Sequence, residues 1–296
     1  MAGQDINRAT SGVVLPAEVS SEIWGETVGQ SAVMSAARQI ALPGAGVTIP
    51  VITGEPEAGW VNETDEKPVS EHTLDNKQIT AYTLAVIEPF SNQFRRDLPG
   101  LYAELVRRLP YALGRAFDAT VLGETAAPGD NFDKLDTAPE LVVDGEETYQ
   151  DLVAVFQAVA AAGGNLTHWL ASPTLQGQLL ATTDGFGRPL FTPDATTSNT
   201  VGQMLGRPIV GTNGLPADGP IGVAGDFAGS AVWGSVEGIK IDISDQATIT
   251  RGGSPINLWQ RNMFAVLAEF EVGFAARDPK RFAKITRPAV TDPENP

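Results

Sequence analysis

The stretch DLPGLYAELVRRLPYALGRAFDATVLG, from Asp97 to Gly123, carries the strongest structural signal in the chain. Its apolar residues recur at spacings of three and four, which predicts a long amphipathic helix. Asp97 is placed as the N-cap, and Gly123 as the residue that ends the helix. Pro110 removes one backbone hydrogen bond and is expected to bend the helix in its middle. The apolar positions are Leu98, Leu101, Leu105, Leu109, Leu113 and Phe117.

The segment before this helix has the pattern of a long β-hairpin. A strand is predicted from Val47 to Thr53 and a second one from about Gln78 to Ile87, because both runs are rich in residues that favour strands. The mostly polar stretch between them predicts a charged tip. Isolated hairpins are only marginally stable in water, so we expect a surface outside the hairpin to hold it.

The first 25 or so residues predict an extended arm that leads into a short helix. Pro16 is followed by apolar residues at Val19, Ile23 and Trp24, at spacings that suit one face of a helix. Such an arm has little surface of its own chain to bury against.

The segment after the long helix has the pattern of an α/β portion. Thr148 is predicted to cap a helix that runs to Ala162, with Asp151 in the capping-box position. Residues 168–171 predict a short strand, and Ser172 the start of another helix. Residues 258–285 predict either two strands or a strand with a helix. Further strands are predicted at 208–211, 220–224, 229–233 and 238–243.

Composition and charge exclude several classes of function. The chain has 296 residues and a formal net charge of −16, which disfavours a general DNA-binding role, because phosphates are bound by an excess of Lys and Arg. It contains no cysteine, so disulfides, thiolate metal sites and thiol nucleophiles are excluded. The sequence has no signal-peptide pattern and no run of about 18 apolar residues, so no membrane partner is expected.

The common catalytic motifs are absent from the sequence. It contains no nucleophile elbow, no Walker loop and no HExxH pair. The only two histidines, His72 and His168, lie far apart in different segments. We therefore expect no metal site, no cofactor and no turnover enzyme.

Several short motifs, taken in their order, resemble one known family. They are Leu15-Pro-Ala-Glu-Val-Ser20, Ile49-Pro-Val51, Ala58-Gly-Trp60-Val-Asn-Glu63 with Lys67-Pro68, Ser91-Asn-Gln-Phe-Arg-Arg-Asp97 with the helix after it, Gly187-Arg-Pro-Leu-Phe-Thr-Pro193, Leu205-Gly-Arg-Pro-Ile-Val210, Gly214-Leu-Pro216, and Asn262-Met263 through Phe274 to Phe282. Each motif is short, but their order and spacing over nearly the whole chain resemble the major capsid proteins of tailed bacteriophages, which have the Hong Kong 97-type fold.

The resemblance implies an α+β capsid fold with a defined division of the chain. Residues 1–25 correspond to an N-terminal arm and residues 47–85 to the extended hairpin, or E-loop. The peripheral domain, which contains the long spine helix, corresponds to residues 26–46, 86–135 and 250–296. The axial α/β domain corresponds to residues 136–249.

The same resemblance implies a structural function. The chain is expected to assemble with itself into the hexamers and pentamers of an icosahedral head that encloses double-stranded DNA, which it contacts without sequence specificity. Scaffold, portal and decoration proteins are the further partners that this implies. The expected location is the virion capsid, after assembly in the host cytoplasm.

Some members of this family join their subunits by an isopeptide bond between a hairpin lysine and a peripheral-domain asparagine, helped by a glutamate. The matching residues here are Lys67, which precedes a proline, Asn262 in an Asn-Met pair, and Glu269 seven residues after it. Each site would react once. Burial of the lysine beside Val266, Leu267 and Phe270 would favour its neutral, nucleophilic form.

Alternative interpretations remain open for these residues and for the chain. Lys67 also suits a solvated hairpin tip, Asn262 a turn, and Glu269 an ion pair. A cellular nanocompartment shell of the encapsulin type would share the fold, and a soluble α/β enzyme would need paired carboxylates. The candidates for such pairing are Asp226, Glu237, Asp242 and Asp245, and the basic run Arg277, Lys280, Arg281, Lys284 and Arg287 is interpreted as a surface for charge pairing between subunits.

Overall fold

The computed structural model describes residues 17–44, 46–52, 60, 74–93, 98–144, 148–183, 191 and 200–288. The helices are α1 (Ala17–Gln30), α2 (Ala32–Ala36), α3 (Leu98–Val121), α4 (Thr148–Ala161), α5 (Pro173–Ala181) and α6 (Phe227–Ser230). The first strands are β1 (Arg38–Ala41), β2 (Val47–Ile52), β3 (Leu74–Ile79), β4 (Tyr82–Ser91), β5 (Glu140–Val142), β6 (His168–Ala171), β7 (Thr200–Met204) and β8 (Arg207–Gly211). The others are β9 (Gly222–Gly225), β10 (Ala231–Ser235), β11 (Lys240–Ser244), β12 (Thr248–Arg251), β13 (Ser254–Asn257), β14 (Met263–Ala276) and β15 (Phe282–Thr286).

The predicted long helix is confirmed as α3. Its apolar stripe from Leu105 through Leu109 and Leu113 to Phe117 is buried, so the periodicity marks the face that meets the core. The helix passes through Pro110 without ending there. It stops before Gly123, whose φ of 93° favours glycine. The predicted N-cap, Asp97, lies outside the described residues.

A five-stranded sheet is built around β14, which has 14 residues. β4 pairs antiparallel along one edge of β14, from Met263 to Val272. β10 and β11 pair end to end along the other edge, and β1 adds to β10 in parallel. The helix α1 packs against one face of this sheet through Trp24, whose ring centroid lies 5.4 Å from that of Phe270.

A six-stranded sheet in the order β5-β15-β9-β6-β8-β7 forms the second layer. Its two faces belong to different clusters, as the alternation along β6 shows. Leu170 joins the core under the five-stranded sheet, whereas Trp169 packs into a second cluster with Leu152 of α4 and Leu175 of α5. The cluster that contains Leu170 therefore lies between the two sheets and connects them.

The expected β-hairpin is present in its described parts, with β2 and β3 antiparallel in the register Val47↔Ile79. The prediction of one continuous strand from Gln78 to Ile87 is wrong. The strand is broken at Thr80 and Ala81, and β3 and β4 enter different sheets. At this break the chain lies close to β14, where a Cβ added at Gly273 would lie 2.5 Å from the carbonyl oxygen of Thr80.

Two predicted helix starts had different outcomes. Ser172 is confirmed as the N-cap of α5, since its hydroxyl accepts a hydrogen bond of 3.3 Å from the backbone N–H of Leu175. Thr148 is the first residue of α4 rather than its cap, and it is buried. Asp151 accepts from the backbone N–H of Asp144 at 3.2 Å, so its carboxylate holds the preceding loop instead of closing a capping box.

The short helix predicted near the N-terminus is longer than expected, because α1 has 14 residues. Its buried side chain Ile23 and its partly buried Trp24 belong to the main core, so the helix packs against the body of the protein through this face. The arm before it, residues 1–16, lies outside the described residues.

The two sheets do not follow the predicted segment boundary between residues 249 and 250. β10 and β11, from the segment expected to be axial, pair with β14. β15, from the segment expected to be peripheral, pairs with β5 and β9 of the six-stranded sheet. The length of β14 explains the first exchange, since its edge accommodates both short strands. The division of the chain into axial and peripheral domains itself remains a prediction.

Candidate assembly surface and cross-link residues

The face of the five-stranded sheet opposite α1 carries Glu269. This face follows the alternation of the strands, so that Leu267 and Glu269 of β14 lie in register with Ile87 and Ala85 of β4. Ile87 is 52% exposed. The surface therefore combines charged and apolar side chains that the described part of the chain leaves open to solvent.

Glu269 forms an ion pair with Lys240 across β11 and β14. The Lys240 Nζ lies 3.3 Å from Glu269 Oε1 and 3.3 Å from an oxygen of Asp242. The hydrogen bonds to Glu269 and then to Asp242 raise the pKa of Lys240 above its ordinary value. Lys240 is thus held in its charged form, which makes it the resting partner of Glu269 and a poor nucleophile.

Of the three apolar residues expected beside the reacting lysine, two do not lie on the face of the sheet that carries Glu269. Val266 and Phe270 point to the opposite face of β14 from Glu269, where they belong to the core. Only Leu267 shares the face of Glu269, because side chains alternate along a strand. A lysine that approaches Glu269 would meet a half-open surface rather than an apolar pocket.

Asn262 lies in a tight turn directly before β14. Its φ of 52° places it in the left-handed region, which asparagine tolerates better than most residues. Its backbone N–H donates to the carbonyl of Trp259 at 3.2 Å, and the N–H of Met263 donates to that of Leu258 at 2.9 Å. The side chain is exposed, and its Oδ1 accepts a hydrogen bond of 2.8 Å from Asn92 Nδ2.

Asn262 and Glu269 are not brought together within one chain. Seven residues separate them along an extended strand, which at ~3.3 Å per residue is roughly 23 Å. Lys67, the third residue of the expected set, lies outside the described residues. The grouping of these three side chains into one site therefore stays a prediction.

The base of the hairpin is fastened to the body of the protein. Lys77 of β3 forms an ion pair of 2.6 Å with Asp133 and also donates to the carbonyl of Ala276 at the end of β14. Asp133 in turn accepts from the backbone N–H of Ala276 at 2.8 Å. Nearby, Asn131 Nδ2 donates to Thr80 Oγ1 at 3.3 Å. These contacts fix the direction in which β2 and β3 leave the body.

Two tryptophans are conspicuously open to solvent. Trp60, in the hairpin segment, is 106% exposed, and Trp259, beside the Asn262 turn, is 70% exposed. Tryptophan carries more apolar surface than any other side chain and is enriched where proteins meet. Both positions are therefore candidates for burial by a neighbouring subunit.

Two of the carboxylates that an enzyme would need, Asp226 and Asp242, lie in different parts of the fold. Asp226 caps α6 through Gly229 N–H and the hydroxyl of Ser230, at 3.1 and 2.8 Å. Asp242 lies on β11 of the other sheet, paired with Lys240. Within the described ranges no group of three or more His, Asp or Glu side chains is arranged to hold a metal ion.

The basic run near the C-terminus does not form one open surface. Lys284 is turned inward, where it binds Glu140 Oε1 at 2.8 Å and the carbonyl of Asp136. A Cβ added at Gly163 would lie 3.6 Å from a guanidinium nitrogen of Arg281, so Arg281 lies beside the end of α4. Lys280 remains exposed. Lys284 and Arg281 therefore contact groups of their own chain.

The sequence did not reveal the residues that contact Asn262 and Glu269, which are Asn92 and Lys240. Asn92 was only part of a motif, and Lys240 lay in an ordinary strand pattern. Their contacts join positions 170 and 29 residues apart in the chain. No local signal marks such pairs. The strand register alone brings them together.

The described fold is similar to the folds of solved structures from phages. A structure from Microbacterium phage Oxtober96 superposes with a TM-score of 0.67 at 24% identity, covering 87% of this chain and 91% of that chain. One from Gordonia phage Cozz gives a TM-score of 0.66 at 23% identity, with 88% and 87% covered. These likenesses confirm the predicted α+β fold of the Hong Kong 97 type. Among the described residues, no helix combines the length and apolarity needed to span a membrane.

The sequence comparison identifies the family. The model of the phage capsid family matches residues 11–286, and the chain belongs to this family. The probable major capsid protein gp17 of Mycobacterium phage L5 is 29% identical in an alignment of 296 positions, which covers 94% of this chain and 90% of that protein. The protein is a structural subunit of a phage head, and neither the encapsulin nor the enzyme alternative is favoured.

Proposed function

We propose that this chain assembles into the hexamers and pentamers of an icosahedral head that encloses double-stranded DNA. The observation that carries the proposal is the complete exposure of Trp60. Leaving so large an apolar side chain in water is unfavourable, and its burial against a neighbour would contribute about 2–3 kcal/mol per contact. Many such contacts of modest strength, repeated around a closed lattice, suffice to hold a shell.

The projecting segments supply the contacts between subunits in this proposal. Residues 1–25 form the arm and residues 47–85 the E-loop, which leaves the body in a direction held by Lys77 and Asp133. Residues 26–46, 86–135 and 250–296 form the peripheral part and residues 136–249 the axial part. The open face around Ile87 and Leu267 is where a neighbouring subunit would lie.

The net charge of the chain suits a shell wall that encloses DNA without binding it tightly. A net charge of −16 repels phosphates at long range, so the packaged DNA would meet the shell only through non-specific contacts. The assembly would take place in the host cytoplasm, with scaffold, portal and decoration proteins as further partners.

The experiment that tests assembly compares Trp60→Glu with Trp60→Phe. Purified protein is examined by analytical sedimentation and electron microscopy. We expect the wild type and Trp60→Phe to form megadalton particles, and Trp60→Glu to remain as small, folded oligomers with an unchanged circular dichroism spectrum. A wild-type protein that stays monomeric or dimeric under all assembly conditions would contradict the proposal.

We further propose that the shell is joined by isopeptide bonds between Lys67 and Asn262, helped by Glu269. The observation that favours this is the exposed and firmly held Asn262 carboxamide. The neutral amine of Lys67 attacks Cγ of Asn262, a bond from Nζ to Cγ forms, and the bond from Cγ to Nδ2 breaks. Glu269 accepts the amine proton and returns it to the leaving nitrogen, so ammonia is released.

The strand geometry requires that such a site be built from more than one chain. Asn262 and Glu269 of one subunit are roughly 23 Å apart along β14, so each subunit would supply its asparagine to one site and its glutamate to another. Glu269 would also exchange Lys240 for Lys67 as its partner. Cross-linking would therefore occur only after assembly, when neighbouring β14 strands meet.

A denaturing gel of assembled particles tests the cross-link. The wild type is expected to give a ladder of covalent oligomers that is absent in Lys67→Ala and Glu269→Gln. Lys134→Ala removes a lysine that pairs with Asp136, two positions away, and serves as the control, with the ladder retained. A single subunit-sized band from wild-type particles would contradict the cross-link and leave the shell proposal intact.

A further inference from the structure

We propose that Asn92 orients and polarises the carboxamide of Asn262 for attack by the lysine. The inference rests on the cross-linking proposed above and names a residue that the expected set of three does not contain. Asn92 directly follows β4, and Asn262 directly precedes β14, so both lie at the same end of this strand pair, next to the partners Ser91 and Met263.

Two hydrogen bonds join Asn92 to Asn262. The side-chain Nδ2 of Asn92 donates to Asn262 Oδ1 at 2.8 Å, and the backbone N–H of Asn92 donates to the Asn262 carbonyl at 3.0 Å. The second bond continues the ladder between β4 and β14 by one residue. The carboxamide is thus held relative to the rigid sheet and not only to its own turn.

The direction of the side-chain bond suits the reaction. Attack at Cγ moves negative charge onto Oδ1, and a donor that already points at this oxygen stabilises the developing oxyanion. Among the described residues, Asn262 Nδ2 makes no hydrogen bond, so nothing there holds the nitrogen that must leave as ammonia. Within the described residues, the oxygen is therefore bound and the leaving nitrogen is not.

The assignment of the two amide orientations follows from burial. Oδ1 of Asn92 is buried and has no hydrogen-bond partner in the described part of the chain. Turning both amides over would instead bury the Asn92 NH2 group, with two protons and no acceptor, which is the more costly arrangement. An unpartnered buried carbonyl is unusual enough to need a reason, and presenting the NH2 group to Asn262 provides one.

Glu269 of the same subunit cannot take over this task, because roughly 23 Å of strand separates it from Asn262. Asn92 is the only side chain that contacts the Asn262 carboxamide by a hydrogen bond within the described residues. Removal of one oxyanion donor slows acyl transfer by about 100- to 1,000-fold in enclosed enzyme sites. For this exposed turn we expect a loss of about 10- to 100-fold.

Mixed particles provide the sharpest test. Subunits that carry Asn92→Ala and are labelled with nitrogen-15 are assembled with an excess of unlabelled wild-type subunits, and the isopeptide-linked peptides are quantified by mass spectrometry over time. We expect labelled Lys67 peptides to enter bonds at the wild-type rate. Labelled Asn262 peptides should enter them about 10- to 100-fold more slowly. A general folding or assembly defect would lower both.

Three comparisons complete the test. Asn92→Asp, which sets a carboxylate against the oxyanion, is expected to abolish reaction at the labelled Asn262, whereas Asn92→Ser keeps a donor and should retain part of the rate. Gln93→Ala, at the exposed neighbouring position, should react like the wild type. Equal rates for the alanine, aspartate and wild-type subunits would overturn the role of Asn92. Wild-type particles without any ladder would overturn it together with the cross-link, while their sedimentation would still support the shell.

Discussion

The carboxylate of Asp118 accepts a hydrogen bond of 2.6 Å from the hydroxyl of Ser31, which lies 87 residues earlier in the chain. The same carboxylate accepts from the backbone N–H groups of Ala32 and Val33, at 2.8 and 3.2 Å. Thr212, in the loop after β8, donates to it at 3.5 Å. One fully buried side chain of α3 therefore joins the turn between α1 and α2 to the six-stranded sheet.

The pair Ser31 and Asp118 should be strongly coupled in stability. Replacing Asp118 by alanine leaves the Ser31 hydroxyl and two backbone N–H groups buried without an acceptor, which we expect to lower the free energy of unfolding by about 3–5 kcal/mol. Ser31→Ala alone removes the cap of α2 and should cost about 1 kcal/mol. In the double variant the two losses should fall short of their sum by about 1 kcal/mol or more, measured by urea denaturation of unassembled subunits. Strict additivity would contradict the coupling.

Stability should depend on pH through Asp118. Burial raises the pKa of this carboxyl from 3.8 to about 6, so the folded state binds the proton more tightly than the unfolded state. The contribution of Asp118 to stability is therefore largest below the unfolded pKa and is lost as pH rises through about 6. Over this range it amounts to about 3 kcal/mol.

The pH effect is isolated by comparison with Asp118→Asn, which cannot titrate. Between pH 7 and pH 4 the free energy of unfolding should increase more steeply with falling pH in the wild type than in the variant. Burial lowers the pKa of His168, which gives the opposite trend, but this contribution is common to both proteins and cancels in the difference. Parallel curves for the two proteins would contradict the assignment.

The longer helices were predictable because their signals are local, whereas the short helices α2 and α6 were not predicted. The apolar period of α3 and the Ser172 cap of α5 are contained within a few residues of sequence, and both are confirmed. The strands predicted at 208–211, 220–224, 229–233 and 238–243 correspond to β8, β9, β10 and β11, whereas β1, β5, β7, β12 and β13 were not predicted. What escaped prediction depends on residues that are distant in sequence, such as Gly273, which lies against Thr80 at the place where one predicted strand is divided into two.

The candidate cross-link residues also show that sequence alone does not give the distances between side chains. The resemblance to the family selected Asn262 and Glu269 by their types and spacing, but spacing along a chain becomes distance only when the conformation is known. In a helix, seven residues would separate them by about 11 Å, on the same face. In β14 the same seven residues span roughly 23 Å. The strand register also sends Val266 and Phe270 into the core and brings Lys240 to Glu269.

The ion pair of Lys77 with Asp133 should affect the mobility of the hairpin base more than the free energy of unfolding of the subunit. Both side chains are partly exposed, so Lys77→Gln is expected to change the free energy of unfolding by less than about 1 kcal/mol. It also releases the carbonyl of Ala276, and we expect faster hydrogen exchange in residues 74–79 and slower particle formation. Lys134→Gln breaks only a pair with Asp136, two positions away, and should leave both rates unchanged. Equal exchange in the two variants would contradict a role for Lys77 in holding the hairpin.

Gly273 should be the glycine of the five-stranded sheet that least tolerates a side chain. A Cβ at this position would lie 2.5 Å from the backbone carbonyl oxygen of Thr80, and a backbone atom cannot rotate away as the end of a side chain can. Gly273→Ala must therefore push the hairpin base off β14, with an expected loss of about 2–4 kcal/mol. Gly238→Ala, in the turn between β10 and β11, meets no atom within 4 Å and should alter stability by less than about 0.5 kcal/mol. Thermal unfolding of the two variants, followed with the assembly assay, separates the outcomes. A large loss at Gly273 without slower assembly would show that the position of the hairpin base matters for folding but not for the shell.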